Sequence, residues 1–249
     1  MNLLGRAAWR AYRNSWTIGF VVFELIGAAL VARHSRTAHI WPFLLWMACV
    51  PVVRLLYLQA LHAPRPTVST RLARMAYGIA GWLFLAAVVL AISGVALLWA
   101  LANIHGILGA LATYAGLWGA ILATVVLALL ITLLVAALLA WTALATLAYS
   151  EAVLDPKARP LLAIRRGLSA VNRRSAIILS IAAAQALLAF AALGGQLFEQ
   201  NGIALTPTVW PATLFGPVAL SVFLTLTEAS GPSRGGQGLV PTPGAVEHD

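Results

Sequence analysis

The chain has 249 residues, of which 61% are hydrophobic and 9% charged, with a mean hydropathy of +0.91. A water-soluble domain carries about 25% charged residues, so this composition excludes an ordinary soluble enzyme and makes lipid the solvent for most of the surface. The formal net charge of +9 comes from 15 Arg and one Lys against seven carboxylates; in a membrane chain such an excess belongs to cytoplasmic loops and anionic headgroups, not to nucleic acid.

The first 15 residues predict a short basic amphipathic helix at the membrane surface, with Arg6, Arg10 and Arg13 on one side and Leu4, Ala7, Ala8 and Ala11 on the other. Apolar segments follow at about 16–32, 40–61, 76–102, 117–149, 176–198 and 207–227. Glu24 interrupts the first, which argues for a retained helix and against a cleaved leader. Between Arg74 and Glu151 lie 76 residues without one Asp, Glu, Lys or Arg. About 20 apolar residues cross about 30 Å of hydrocarbon, so this block holds two or three crossings, here assigned to spans three and four. Residues 103–116, with Asn103, His105, Gly106, Gly109 and Gly116, read as a turn with a short interfacial piece. Beyond Glu228 the sequence turns to Ser, Gly and Pro, and 229–249 reads as a disordered cytoplasmic tail.

The expected fold is therefore all-α: a single transmembrane domain over 16–228 with about six spans, both termini cytoplasmic, and short interfacial amphipathic helices. Placing the N-terminus inside puts 13 of the 16 basic residues on cytoplasmic pieces, leaving Arg33 and Arg36 outside and Arg54 within a span. Aromatic residues fit this orientation, with Trp16, Tyr57, Tyr77 and Tyr149 near inner ends and Trp41, Trp99, Trp118 and Trp210 near outer ends.

Ionisable side chains inside hydrocarbon cost about 2.5–3.5 kcal/mol on insertion scales, so each requires an explanation. Glu24 lies eight residues from the cytoplasmic start of span one and Arg54 seven from the cytoplasmic end of span two. At about 1.5 Å per residue both sit about 10–12 Å deep, which predicts an ion pair or a shared polar cavity between antiparallel neighbours. Pro51, three residues before Arg54, removes a backbone donor and kinks the helix beside the charge. Span five carries a polar stripe, Gln185, Gln196 and Glu199, expected to face the bundle, either as inter-helix hydrogen bonds or as the lining of a cavity. On the cytoplasmic segment before it, Leu161, Ile164, Leu168 and Val171 share one face while Arg159, Arg166, Arg173 and Arg174 take the other, the pattern of a surface for anionic lipid or a membrane or cytoplasmic protein partner.

No catalytic residues are assigned. The sequence has no phosphate-binding glycine loop, no metalloprotease spacing and no nucleophile elbow. Cys49 has no second cysteine to pair with, and His34, His39 and His105 have no carboxylate or thiol nearby, so no metal and no cofactor are expected.

The stretch Tyr149 to Arg174, with Tyr-Ser-Glu-Ala-Val-Leu-Asp-Pro followed by Leu-Leu-Ala-Ile-Arg-Arg-Gly-Leu-Ser-Ala-Val-Asn-Arg-Arg, joins a long helix to another span. In that arrangement it resembles the corresponding loop of six-span bacterial proteins similar to the membrane domain of glycerophosphoryl diester phosphodiesterases. In that family a separate soluble domain carries the chemistry, so the resemblance implies a membrane module without hydrolase activity and transfers no active-site residues. The sequence reading is an accessory or scaffold protein of the bacterial inner membrane. The alternative is a small transporter or channel with a polar site around Glu24, Arg54 and Gln185.

Overall fold

The computed structural model describes residues 2–34, 41–63, 65–155, 157, 159–198 and 209–230. All regular structure among them is helical: α1 (Leu3–Tyr12), α2 (Trp16–His34), α3 (Trp41–His62), α4 (Thr70–Ala102), α5 (Ile104–Leu154), α6 (Pro160–Arg173), α7 (Ser175–Phe198) and α8 (Val209–Ser230). Four stretches are long and apolar enough to cross a membrane: Trp41–His62, Thr70–Leu97, Gly116–Leu154 and Val209–Ala229. The apolar pieces Trp16–Leu30 and Ser175–Ala189 are shorter. Residues 35–40, 199–208 and 231–249, with His39 and Glu199 and the expected disordered segment among them, lie outside the described residues.

Local chemistry sets the helix starts. Asn2 caps α1 by accepting a 2.8 Å hydrogen bond from the Gly5 amide, Ser69 accepts from Leu72 ahead of α4, and Pro160 occupies the first turn of α6. Buried hydroxyls on Thr146, Ser150, Thr213 and Thr227 donate back to carbonyls three or four residues earlier, which satisfies them without water. The 51-residue α5 is interrupted once: Gly116 has φ 61° and ψ −155°, a region open essentially to glycine alone, so residues 103–116 form a helical piece ending at a break.

The core gathers at the end of the bundle that carries α1, α6 and most of the arginines. Leu55, Leu58, Ile79, Ala148, Ala163 and Leu224 are buried there in one cluster, and Ala7, Leu147, Ile178, Val222 and Phe223 in a second. Trp141 donates to the Leu83 carbonyl at 3.1 Å, marking where α4 and α5 leave this core. Beyond that bond, Phe84, Leu85, Val89, Ile92 and Val95 of α4 and Leu122, Val125 and Leu129 of α5 are exposed, as side chains facing lipid would be.

Two local expectations are revised by the packing. Tyr57 and Tyr149 are core residues instead of interfacial anchors, whereas Trp16 and Tyr77 are exposed. On α6 the face that meets the bundle is small, Ala163, Gly167 and Ala170, while Leu161 and Leu168 point away from it. A Cβ on Gly167 would lie 3.2 Å from the Ala148 amide nitrogen, so the two helices approach backbone to side chain. Close approach of small residues, more than burial of leucines, is how helices associate where lipid is already apolar.

Candidate functional site

Four helices frame a cleft of about 260 Å³. From α2 come Phe20, Glu24, Gly27 and Ala28, whose spacing of three or four residues places them on one face. Trp46 and Arg54, two turns apart, come from α3, Gln185 and Ala189 from α7, and Thr213, Gly216 and Leu220 from α8. The walls are thus apolar except for a few polar groups, the usual make-up of a small-ligand site.

Glu24 and Arg54 come together with their nearest charged atoms, Oε1 and Nη2, 3.9 Å apart. That separation is within ion-pair range and beyond hydrogen-bond range. The side chains retain 22% and 33% of their exposure, so the pair is neither sealed between helices nor on an outer surface; it opens on the cleft. Glu24 Oε1, Arg54 Nε and Gln185 Oε1 are each shielded yet have no hydrogen-bond partner among the described residues. Inside hydrocarbon such groups are normally paired. Three helices therefore hold one donor and two acceptors with unused capacity in the walls of the same cleft, shielded as the side chains stand.

Aromatic side chains hold the cleft in shape. The Trp46 indole donates to the Phe23 carbonyl at 2.9 Å, stacks on Phe23, and lies against Gly27, where a Cβ would come within 2.1 Å of the ring. Phe20 stacks on Tyr57 with centroids 4.4 Å apart, and the Tyr57 hydroxyl pairs with Thr17 at 3.0 Å. Glu24 thus sits one turn from Phe20 on one side and one turn from the glycine that accommodates Trp46 on the other.

The rest of the predicted stripe is not described: the side chain of Gln196 and the whole of Glu199 lie outside the described residues, as do the side chains of His34 and His105. Arg159, Arg166, Arg173 and Arg174 are all exposed along α6 and its ends, with Arg166 paired to Asp155 at 2.8 Å. Among the described residues no group of three His, Cys, Asp or Glu is placed to hold a metal.

A second polar cluster was missed by sequence reasoning. Arg10 of α1 grips Glu228 of α8 through two hydrogen bonds, 2.7 and 2.8 Å, and donates two more to the Leu61 carbonyl at the end of α3. His62 reaches the same carboxylate at 2.9 Å, and Asn14 donates to the Ala60 carbonyl at 2.7 Å. These contacts cap the last turn of α3, whose carbonyls have no partner within their own helix. The available signal was a carboxylate in the last turn of an apolar helix, on the same side as a basic N-terminal segment.

Comparison with protein-family models, with curated proteins and with solved structures gives no match.

Proposed function

We propose that this chain is a multi-pass protein of the bacterial inner membrane, with both termini cytoplasmic, that takes a small polar solute into the cleft between α2, α3, α7 and α8 and serves as a small transporter or channel. One observation carries the reading: Glu24, Arg54 and Gln185 converge from three helices on one apolar-walled cavity with unpaired atoms. A pair that only fixed helix register would gain most from a closed, hydrogen-bonded geometry, and this one stands open at 3.9 Å. The experiment is solute-driven swelling of proteoliposomes containing the full chain, with a panel of inorganic anions, alkali cations and small amino acids. The expected result is entry of at least one solute class by wild type, lost in Glu24→Gln and in Arg54→Met at unchanged thermal stability. Vesicles as tight as protein-free controls to every solute would overturn the proposal.

A second reading, an accessory or scaffold component, is favoured by α6, where exposed Arg159, Arg166, Arg173 and Arg174 flank exposed Leu161 and Leu168. Exposed leucines beside guanidinium groups suit an anionic lipid surface or a partner helix. The resemblance of Tyr149–Arg174 to membrane domains lacking a catalytic unit of their own fits this second reading. Its test is retention of phosphatidylglycerol through purification, which falls when the four arginines are replaced by glutamine.

A further inference from the structure

We infer that the ligand of the cleft is a net-neutral zwitterion, its anionic group held by Arg54 and its ammonium group held by Glu24 and Gln185 between the rings of Phe20 and Trp46. The inference rests on the reading of this cleft as a solute site and names the chemical class of the solute.

Charge balance is the first argument. Among the described residues the cleft holds one carboxylate and one guanidinium 3.9 Å apart, and these two charges cancel. A net anion or net cation entering a low-dielectric site would leave one charge uncompensated, which is the costly arrangement. A zwitterion whose opposite charges are a few bonds apart lies antiparallel to the pair and leaves the sum at zero.

Hydrogen-bond capacity points the same way. Arg54 Nε, a donor, and Glu24 Oε1 and Gln185 Oε1, both acceptors, lie shielded in the cleft wall without partners among the described residues, and a ligand pairs with them once the partly exposed Glu24 and Arg54 side chains turn toward it. A ligand with acceptors alone would satisfy the arginine and leave two oxygens unpaired; an ammonium supplies the missing donors, and a carboxylate or phosphate takes the guanidinium N–H. The loose contact between Glu24 and Arg54 leaves room for both without first breaking a bidentate bond.

The aromatic lining supplies the third argument. Phe20 and Trp46 both line the cleft, Phe20 one turn before Glu24 on α2 and Trp46 reaching from α3 to Gly27, one turn after it. Aromatic faces beside a carboxylate attract organic ammonium groups through their quadrupoles, and the hydrogen bond from Trp46 to Phe23 fixes that ring in advance. The volume, about 260 Å³, suits a small solute or the headgroup of a larger amphiphile, since drug-sized ligands occupy about 300–1,000 Å³.

The test is calorimetric titration of the detergent-solubilised full chain with five probes. Glycine and β-alanine are soluble zwitterions, acetate and methylammonium are the two halves alone, and dihexanoylphosphatidylethanolamine is a zwitterionic lipid. The expected result is saturable binding of at least one zwitterion at least tenfold tighter than either half. This comparison uses wild type, so it does not depend on any variant folding. Glu24→Gln and Arg54→Met should each weaken that binding at least tenfold and Trp46→Leu several-fold. Binding of glycine or β-alanine identifies a free solute as the source, and binding of the lipid alone identifies a headgroup; both support the inference. Acetate or methylammonium binding as tightly as the zwitterions overturns it and leaves the solute site standing. Swelling without zwitterion binding likewise removes only this inference, whereas absence of both binding and swelling removes the transport reading as well.

Discussion

Arg10 shows how much one side chain can close. Its guanidinium spans α1, α3 and α8 and bonds directly to Glu228 and to the Leu61 carbonyl. Arg10→Met should destabilise the detergent-solubilised protein by about 1–3 kcal/mol, the range for hydrogen bonds to charged groups and for the buried partners left behind. Glu228→Gln should cost less, because an amide still accepts from Arg10, and the double variant should fall short of the sum of the two. Equal, additive losses in thermal unfolding would contradict a shared network. Glu24 and Arg54 were legible in the sequence because an isolated charge within apolar runs has few explanations, and depth along two antiparallel helices is simple arithmetic. Glu228 was not, since a carboxylate at the end of an apolar helix looks like ordinary flanking polarity until the fold shows what faces it. Tyr57 and Tyr149 misled for a related reason: a ring near a helix end suits the membrane interface and the core equally well.

Helices differ in how plainly their packing faces are written. In α6 the leucines and arginines dominate the amphipathic pattern, yet Ala163, Gly167 and Ala170 make the contact with α5. The large apolar residues of this helix divide between two environments, Ile164 and Val171 packing partly against the cores while Leu161 and Leu168 stay exposed, so their periodicity alone does not name the contact face. Two glycines yield sharp tests. Gly27→Ala places a methyl 2.1 Å from the Trp46 ring, so the ring must leave its place or α2 and α3 must separate; a cost of about 1–3 kcal/mol is expected from overpacking, with part of it recovered in Gly27→Ala/Trp46→Leu. Gly116→Ala meets nothing within 4 Å, and its cost is set by backbone conformation alone at φ 61°. About 1–3 kcal/mol is expected, and a neutral effect on thermal unfolding would mean that the break relaxes into continuous helix.

The molecule as a whole is packed unevenly. Its buried residues concentrate where α1 and α6 join the bundle, while the far portions of α4 and α5 are clothed only in exposed apolar side chains. The charge distribution predicts which end faces the cytoplasm, and the sequence makes the check convenient, because Cys49 is the sole cysteine. In a Cys49→Ala background, Asn103→Cys should react with an impermeant maleimide in intact cells and Ser69→Cys only after permeabilisation. The reverse pattern would invert the assigned orientation.

The clasp between Arg10 and Glu228 joins positions 218 residues apart. During synthesis, the first helix waits for its carboxylate partner until the last helix has left the ribosome. The earlier helices are therefore made with their end of the bundle still open, and a chain cut short before Glu228 keeps the packing of Ala7 on Val222 and Phe223 and the hydrogen bond from Tyr12 to the Leu214 carbonyl but loses the ion pair. Closure of this end of the bundle thus waits for α8, and the Arg10 guanidinium is the contact that waits longest.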